Sequence, residues 1–415
     1  MGIPTTTGRF AVKEQASGWG TAETSFANAN FLEAQITVPT PAQGSVSADV
    51  MRASFFATSR VASGKGPTEM SLTMPLHGFS TAAPGADPTE HPDALLLRSV
   101  LGSSALDGYS TDLAAGGTNV TVDVTSATGI VGQALLAPMA STSPVEYSAG
   151  WIKTKASNTY TMQRKFALTS AGADQTPATS GTLFGSNVVY LTATQPTPFT
   201  LQWLGSSANV SFRFFDCVVT SATITLNSRE QPTLAVTVRS ANWTNVGSGG
   251  APTSADLANR PQMPVVLSDN GARVVDANGE QKAGTATINL TSDVVDELNY
   301  NAPQGISRFV VTKRTAEMVI MAPAAGSSAS SLDNPASLIA PGTAAGALQL
   351  DAGTTPGRSF SALIPAGQIK EIQALGDSNS LVSITSTVEC AIYGGDTSDG
   401  ALTAVANTPF RVAFL

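Results

Sequence analysis

Apolar and polar residues alternate one by one in several segments of the chain. The alternating apolar positions are Met70, Leu72, Met74 and Leu76; Ala222, Ile224 and Leu226; Leu234, Val236 and Val238; and Ala286, Ile288 and Leu290. A period of two is typical of strands with one face on a core. Helical spacing is clearest over 91–102, where Pro92 stands early and Gly102 gives a stop. The pattern predicts a mainly β protein with one or two short helices per domain.

An internal repeat is the second feature of the pattern. Residues 59–75 and 307–323 align at a constant offset of 248, and six of the 17 positions are identical. Self-similarity at a fixed offset indicates a duplicated structural unit. The sequence therefore predicts two related β domains in tandem.

Turn-forming residues and segment lengths suggest the domain limits. Residues 244–262 are rich in Gly, Pro, Ser and Asn without periodicity, which favours a linker. The second domain is then 263–415. Residues 116–171 carry a small β pattern of their own, and removing them leaves 29–115 and 172–243 as a first domain of similar size. We therefore predict an N-terminal arm at 1–28 and an inserted β module at 116–171.

The chain carries few charges. Charged residues make up 13% of its 415 residues, against about 25% in typical soluble domains, and its net charge is −8. Tight binding to nucleic acid needs a basic surface, which this balance excludes. Depletion of charge is typical of the centres of protein–protein contacts, and this favours a subunit that covers its surface with neighbours. A secreted β protein with a Ser/Thr surface explains the composition equally well.

Enzyme motifs are absent from the sequence. It has no Gly-x-Ser-x-Gly elbow, no phosphate-binding Gly-x4-Gly-Lys-Ser/Thr loop and no His-Glu-x-x-His pair. His91 lies beside Glu90 and Asp93, and its place at a helix start favours a solvated turn histidine. No apolar run is long enough to span a membrane. We expect no enzyme activity, no cofactor and no metal site, and an aromatic content of 6% disfavours a carbohydrate-binding protein or hydrolase.

Three segments together resemble a known protein family. The N-terminal run from Lys13-Glu14 to Gly20-Thr21-Ala22-Glu23-Thr24 is followed by the strand EMSLTMPLHGF (69–79) and the helix 91–102, and later by a hairpin over 210–243 with a polar turn. This order is similar to that of tail tube proteins, the major tail proteins of bacteriophages with long non-contractile tails. The resemblance covers the first domain well and the second mainly through the repeat.

The resemblance implies a fold and an assembly. Each domain is expected to be a β-sandwich or half-barrel with a short helix, and the chain to polymerise into stacked rings that form a hollow tube. DNA passes through such a tube without specific binding. Expected partners are copies of the chain, in trimeric pseudo-hexameric rings, and the tape measure, tail terminator and distal tail proteins. The expected location is the virion tail, assembled in the cytoplasm of the host bacterium.

Two sets of residues are candidates for the contacts of such a tube. Lumen-facing candidates lie on the polar side of the hairpin 210–243, at Thr223, Thr225, Thr233 and Thr237. Candidates for contacts between rings are Phe10, Lys13, Glu14, Trp19, Arg60 and Lys65. This assignment predicts that a chain lacking residues 1–26 folds but does not polymerise. The alternative function is that of another virion or surface-layer structural protein, such as a capsid decoration or shell subunit.

Overall fold

The structure, a computed structural model, is mainly β. It describes residues 8–32, 34–36, 43–48, 59–65, 67–78, 91–102, 108–140, 145–166, 175–205, 211–227, 230–246, 263–265, 272–276, 279–281, 285–299, 301–302, 305–323, 344–378, 381–391, 393, 405 and 407–415. One α-helix with known bounds lies in this part of the chain. The mainly β prediction is therefore confirmed.

The elements of the first half of the chain begin with a strand at the N-terminal end. They are β1 (Gly8–Glu14), β2 (Phe31–Leu32), β3 (Gln35–Ile36), β4 (Gln43–Ala48), β5 (Ser59–Lys65), β6 (Thr68–Pro75), β7 (His77–Gly78), α1 (Pro92–Leu101), β8 (Tyr109–Asp112), β9 (Thr121–Asp123), β10 (Ala134–Pro138), β11 (Tyr147–Ala156), β12 (Thr159–Met162) and β13 (Thr182–Gly185). A short 3-10 turn, Asn28–Asn30, precedes β2.

Longer strands dominate the remainder of the chain. They are β14 (Asn187–Tyr190), β15 (Phe199–Gly205), β16 (Ser211–Asn227), β17 (Thr233–Asn245), β18 (Met263–Pro264), β19 (Ala272–Asp276), β20 (Gly279–Gln281), β21 (Thr285–Leu298), β22 (Ile306–Pro323), β23 (Ala344–Ala352), β24 (Phe360–Ser378), β25 (Leu381–Cys390) and β26 (Arg411–Phe414). The predicted hairpin over 210–243 is present as β16 and β17.

The alternating segments form strands because one of their faces is apolar. In β6, Met70, Leu72 and Met74 are buried while Ser71 and Thr73 are exposed. The alternating apolar positions of β16, β17 and β21 are likewise buried in the main core. Each fully buried aliphatic side chain contributes roughly 1.5–3 kcal/mol through the hydrophobic effect, which fixes the inward face of each strand.

One large antiparallel sheet contains strands from both halves of the chain. The first half contributes the path β2-β1-β15-β16-β17-β6-β3, and the second contributes β20-β19-β23-β24-β25-β22-β21. The two paths have the same order of pairing, position by position. They join where β16 pairs with β21, from Ser221 opposite Thr291 to Asn227 opposite Thr285. The main sheet is therefore continuous across the predicted repeat.

Helix α1 covers the apolar face of the main sheet. Leu95, Leu96 and Leu97 are buried in the main core, and the helix packs most closely against β16. The helix begins after His91, whose Nδ1 accepts a hydrogen bond from the backbone N–H of Ala94 at 3.1 Å. It ends at Gly102, which has a left-handed φ of 83° and bonds back to the carbonyl of Arg98. The helix predicted over 91–102 is confirmed.

A second, six-stranded sheet forms a small unit beside the main sheet. Its order is β8-β13-β10-β11-β12-β9, and a bridge between Leu113 and Val124 connects its two ends. The sheet curls around its own core, which includes Leu135, Ile152 and Tyr160. Strands β9 to β12 lie within the predicted insertion 116–171, while β8 and β13 flank it. The domain limits themselves stay a prediction.

Several predicted segments are placed differently or lie outside the described residues. Residues 8–14, predicted as part of an arm, form β1 between β2 and β15 of the main sheet. Most of the predicted linker, residues 247–262, lies outside the described part of the chain. No α-helix with known bounds lies among the described residues of 263–415, so the short helix expected in the second domain stays a prediction.

Candidate functional site

A polar surface covers one face of the wall formed by β6, β17, β16, β21, β22 and β25. Side chains alternate along these strands, so the face opposite the core carries mostly hydroxyl groups. We call it the hydroxyl face; its hydroxyl-bearing members are Ser71, Thr73, Ser221, Thr223, Thr225, Thr233, Thr237, Thr285, Thr287, Thr385 and Thr387. The four lumen-facing candidates, Thr223, Thr225, Thr233 and Thr237, therefore lie together on one surface.

Cross-strand register aligns this surface across both halves of the chain. Thr225 lies opposite Thr233 on one side and Thr287 on the other. The same row continues through Val319 to Thr387. Neighbouring side chains in such a row stand about 4.5–5.5 Å apart at their Cβ atoms. The row is therefore a band of small, uncharged side chains that crosses the junction between β16 and β21.

Charges on this face are few and gather at one end of the strands. Glu69 lies opposite Arg239, and Glu317 lies opposite Glu389. The Arg239 guanidinium also forms a two-point ion pair with Asp296, with N–O distances of 3.0 Å. The Glu317 carboxylate accepts a hydrogen bond from Lys370, and this bond together with the Glu317 charge raises the pKa of Lys370. The remaining band is neutral.

The N-terminal contact candidates are engaged within the chain. Phe10 is fully buried in the main core, so its side chain has no surface to offer another subunit. Lys13 lies 3.6 Å from the carboxylate of Glu23, and Glu14 accepts a hydrogen bond from Arg98 at 2.9 Å. Residues 1–26 include a core strand, which argues against their being dispensable for folding; the effect of their deletion stays a prediction.

Trp19 packs against side chains of the main sheet. Its ring meets Phe309 of β22 edge-on, with ring centroids 6.0 Å apart, and the Arg239 guanidinium lies 5.1 Å from the centroid of the same phenylalanine. Val218 and Ala241 complete this small apolar cluster. The remaining surface of Trp19 is partly exposed, so a contact with another subunit at this position stays a prediction.

Arg60 and Lys65 lie on β5, which pairs with β4 in a two-stranded ribbon. The structure describes the backbone of this ribbon. At the offset of 248, β5 corresponds to the part of β22 that extends beyond the main sheet as a hairpin with β21. The side chains of both residues lie outside the described part of the chain, and their role between rings stays a prediction.

Both histidines of the chain lie in one buried cluster below the start of α1. His91 is fully buried, and the prediction of a solvated histidine is therefore wrong. Its Nε2 lies 3.1 Å from the carbonyl of Gly78 and its ring stacks near Phe414. His77 contacts the buried Asp93 through its backbone N–H at 2.8 Å and through Nδ1 at 3.2 Å. The covering elements come from distant parts of the chain, so local sequence gave no signal of this burial.

The electrostatics of this cluster follow from its burial. Burial lowers the pKa of His91 to about 4, against a partly opposing effect of Asp93. Burial alone raises the pKa of Asp93, but the His77 charge and hydrogen bonds from His77 outweigh it, so that the pKa is lowered. Within the described residues the cluster is excluded from solvent, and its hydrogen bonds hold the start of the helix in place.

A cavity of about 210 Å³ lies beside α1. The Arg98–Glu14 ion pair lines it, together with Tyr190, Thr192 and Gln195. The histidine cluster is not among its lining residues. The cavity therefore does not connect the histidine cluster with the Arg98–Glu14 ion pair.

Within the described residues, no group of three or more His, Cys, Asp or Glu side chains is placed to hold a metal ion. No helix in that part of the chain is long and apolar enough to cross a membrane. The sequence matches no protein-family model and no curated protein. The hydroxyl face is thus the extended surface on which a functional proposal rests.

Proposed function

We propose that this chain is the structural subunit of a phage tail tube. In this proposal it polymerises through stacked rings into a hollow tube, and the hydroxyl face lines the channel through which DNA passes. One observation carries the proposal: both halves of the chain contribute strands, in the same order, to one wall with an apolar face and a hydroxyl-rich face.

The chemistry of this face suits a channel for DNA. Phosphate groups bind to Lys and Arg side chains, and release of counterions drives that binding. On the hydroxyl face the charged side chains Glu69, Glu317 and Glu389 outnumber Arg239, which is paired with Asp296. The Lys370 ammonium is likewise paired, with Glu317, so the described part of this neutral to acidic wall gives DNA no unpaired cationic group to hold it. The net charge of −8 acts in the same direction.

The shared strand order suggests the ring size. Two similar units per chain give pseudo-sixfold symmetry when three chains form a ring. Contacts that are head-to-tail generate rings when the rotation closes, and stacking such rings gives a tube. Within the virion, the tape measure, tail terminator and distal tail proteins are the proposed partners of this tube.

Electron microscopy of the purified full-length protein tests the proposal. We expect tubes of uniform bore whose averaged cross-sections contain three chains per ring. Flat sheets would instead support a surface-layer or shell subunit, and isolated oligomers would support a decoration protein. Six chains per ring would contradict the trimeric assignment while leaving the tube intact.

A further inference from the structure

The junction between the two halves uses one edge of β16. On its opposite edge β16 pairs with β17. On the junction edge it pairs with β15 as far as Cys217, and then with β21 from Ser221 to Asn227. Along this one edge, β16 therefore pairs first with β15 and then with β21.

Strand β24 has the position of β16 in the second half. It pairs with β25 on one edge and with β23 on the other, as β16 does with β17 and β15. The pairing with β23 ends at Gln368. Among the described residues, no strand pairs with residues 371–378 on that edge, although β21 occupies the corresponding part of β16.

Strand β3 has the position of β21 in the first half. Ile36 lies opposite Leu72, and Ala286 lies opposite Ile320. Leu72 and Ile320 are equivalent at the offset of 248, so Ile36 corresponds to Ala286. The segment QITV (35–38) repeats the apolar alternation of TATI (285–288). Within the described residues β3 pairs with β6 alone, so its other edge has no neighbouring strand there.

We propose that the open end of β24 in one chain pairs antiparallel with β3 of a second copy, with Asp377 and Ser378 opposite Ile36 and Gln35, and so repeats between chains the β16–β21 junction found within the chain. This inference rests on the self-assembly in the proposed function and names the edges that perform it. An open strand edge presents unpaired backbone N–H and C=O groups, which a further strand satisfies. The two edges differ, so the contact is head-to-tail, and such a contact gives a ring when the rotation between chains closes.

The existing junction fixes the register of the proposed pairing. Asn227 lies opposite Thr285 in the junction. Thr285 corresponds to Gln35, because their partners Met321 and Thr73 are 248 residues apart. Gly376 corresponds to Thr225, because it lies opposite Ser383 as Thr225 lies opposite Thr233. Asn227 then corresponds to Ser378, which places Ser378 opposite Gln35 of the neighbouring chain.

A disulfide between these two positions tests the register. Facing residues of antiparallel strands have Cα atoms about 4.5–5.5 Å apart, within the range of a disulfide. We expect the variant Gln35→Cys with Ser378→Cys to form intermolecular disulfides on mild oxidation of the assembled protein. A non-reducing gel should show a ladder that ends at the number of chains in a ring. Neither single variant should give more than dimers.

The matched control moves one cysteine along the same strand. Gln35→Cys with Gln373→Cys places the second thiol five residues from the proposed partner, roughly 16 Å along the strand, and should not give the ladder. Background from the native thiols is measured in the parent protein, where Cys217 is buried and Cys390 is partly exposed. Assembled rings in which the first pair fails to crosslink, or in which the control pair crosslinks equally, would overturn the proposal.

A second measurement needs no substitution. Backbone amides at the open end of β24, at Asp377 and Ser378, should exchange with deuterium about tenfold more slowly in assemblies than in dissociated chains. Unchanged exchange there would contradict the proposal. Crosslinked closed rings that never stack into tubes would support the strand pairing and refute the tail tube function, so the two failures are distinguishable. A chain that stays monomeric at all concentrations would refute both.

Discussion

Gln15 and Asp216 hold each other through a reciprocal pair of hydrogen bonds. The Gln15 side-chain oxygen accepts from the backbone N–H of Asp216 at 2.6 Å, and its Nε2 donates to the Asp216 carboxylate at 3.0 Å. The same carboxylate accepts from the backbone N–H of Gly20 and from Asn242. Asp216 is buried and has a positive φ of 56°. This carboxylate therefore fixes the N-terminal segment to the β16–β17 hairpin.

Removal of this carboxylate should destabilise the protein. Asp216→Ala removes the acceptor of the Gly20 N–H and of the buried Asn242 amide, and one of the three acceptors around the Gln15 Nε2. We expect a loss of about 3 kcal/mol in the free energy of unfolding. Urea unfolding measures the loss. Asp216→Asn retains an acceptor oxygen and should recover part of it, while Asp293→Ala, at an exposed carboxylate, should leave stability unchanged. Equal stability of Asp216→Ala and the parent would contradict the anchoring role.

Phe10 should be required for folding and not only for assembly. It is fully buried in the main core, so Phe10→Ala should cost about 3–5 kcal/mol in the free energy of unfolding. A chain that lacks residues 1–26 loses all of β1 and should not give a cooperative thermal transition by circular dichroism. The control deletion removes residues 1–7, which precede β1, and should fold. A stable, monomeric chain without residues 1–26 would restore the view of this segment as an arm.

Acid should destabilise the protein through His91. The Nδ1 of His91 accepts from the Ala94 N–H, and Nε2 faces the Gly78 carbonyl, which is the arrangement of a neutral ring that donates from Nε2. Above pH 6.5 the ring is neutral in the folded and unfolded states. As the pH falls from 6.5 to about 4, the unfolded chain binds a proton that the folded protein does not, so stability is lost.

The expected loss over this interval is about 3 kcal/mol, from 1.36 kcal/mol for each unit of difference in pKa. His91→Asn keeps a good N-cap acceptor and removes the titration, so its stability should vary less between pH 6.5 and 4. Urea unfolding across this interval tests the difference. The pKa of Asp93 is lowered from its ordinary value of 3.8, so its effect lies below this interval. As the pH falls below 3.8, the unfolded chain binds a proton at Asp93 before the folded protein does, and further stability is lost. Parallel curves for the two proteins would refute the assignment to His91.

Ser361 should couple the six-stranded unit to the main sheet. Trp151 of β11 donates through Nε1 to the Ser361 hydroxyl at 2.8 Å, and that hydroxyl donates to the buried Asp351. Ser361→Ala leaves the Trp151 N–H without a partner in a buried site, which costs about 1–3 kcal/mol. Urea unfolding followed by tryptophan fluorescence should show the loss. Ser71→Ala, on an exposed position of β6, is the matched control and should behave like the parent.

Local features of the fold were predictable from local sequence. The pleat of a strand sends successive side chains to opposite faces, so the alternation around Leu72, Ile224 and Ile288 predicted both the strands and their buried faces. Pro92 and Gly102 gave the bounds of α1 for the same reason, because helix ends have local chemistry. The candidate threonines followed directly, since Thr223 and Thr225 lie between buried positions. The hydroxyl pattern of Thr285 and Thr287 carried the same signal in the second half.

The sequence by itself determined which residues form strands, which of their faces is apolar, and that two parts of the chain are related. The tertiary structure alone decided which strands are neighbours. An alternating strand fits beside many others, and the choice among them depends on contacts distant in sequence; for this reason β1 is a core strand, His91 is buried under Phe414, and β16 pairs with β21. The open edges of β3 and β24 exist only once those pairings are made, because an edge is a property of a sheet and not of a segment.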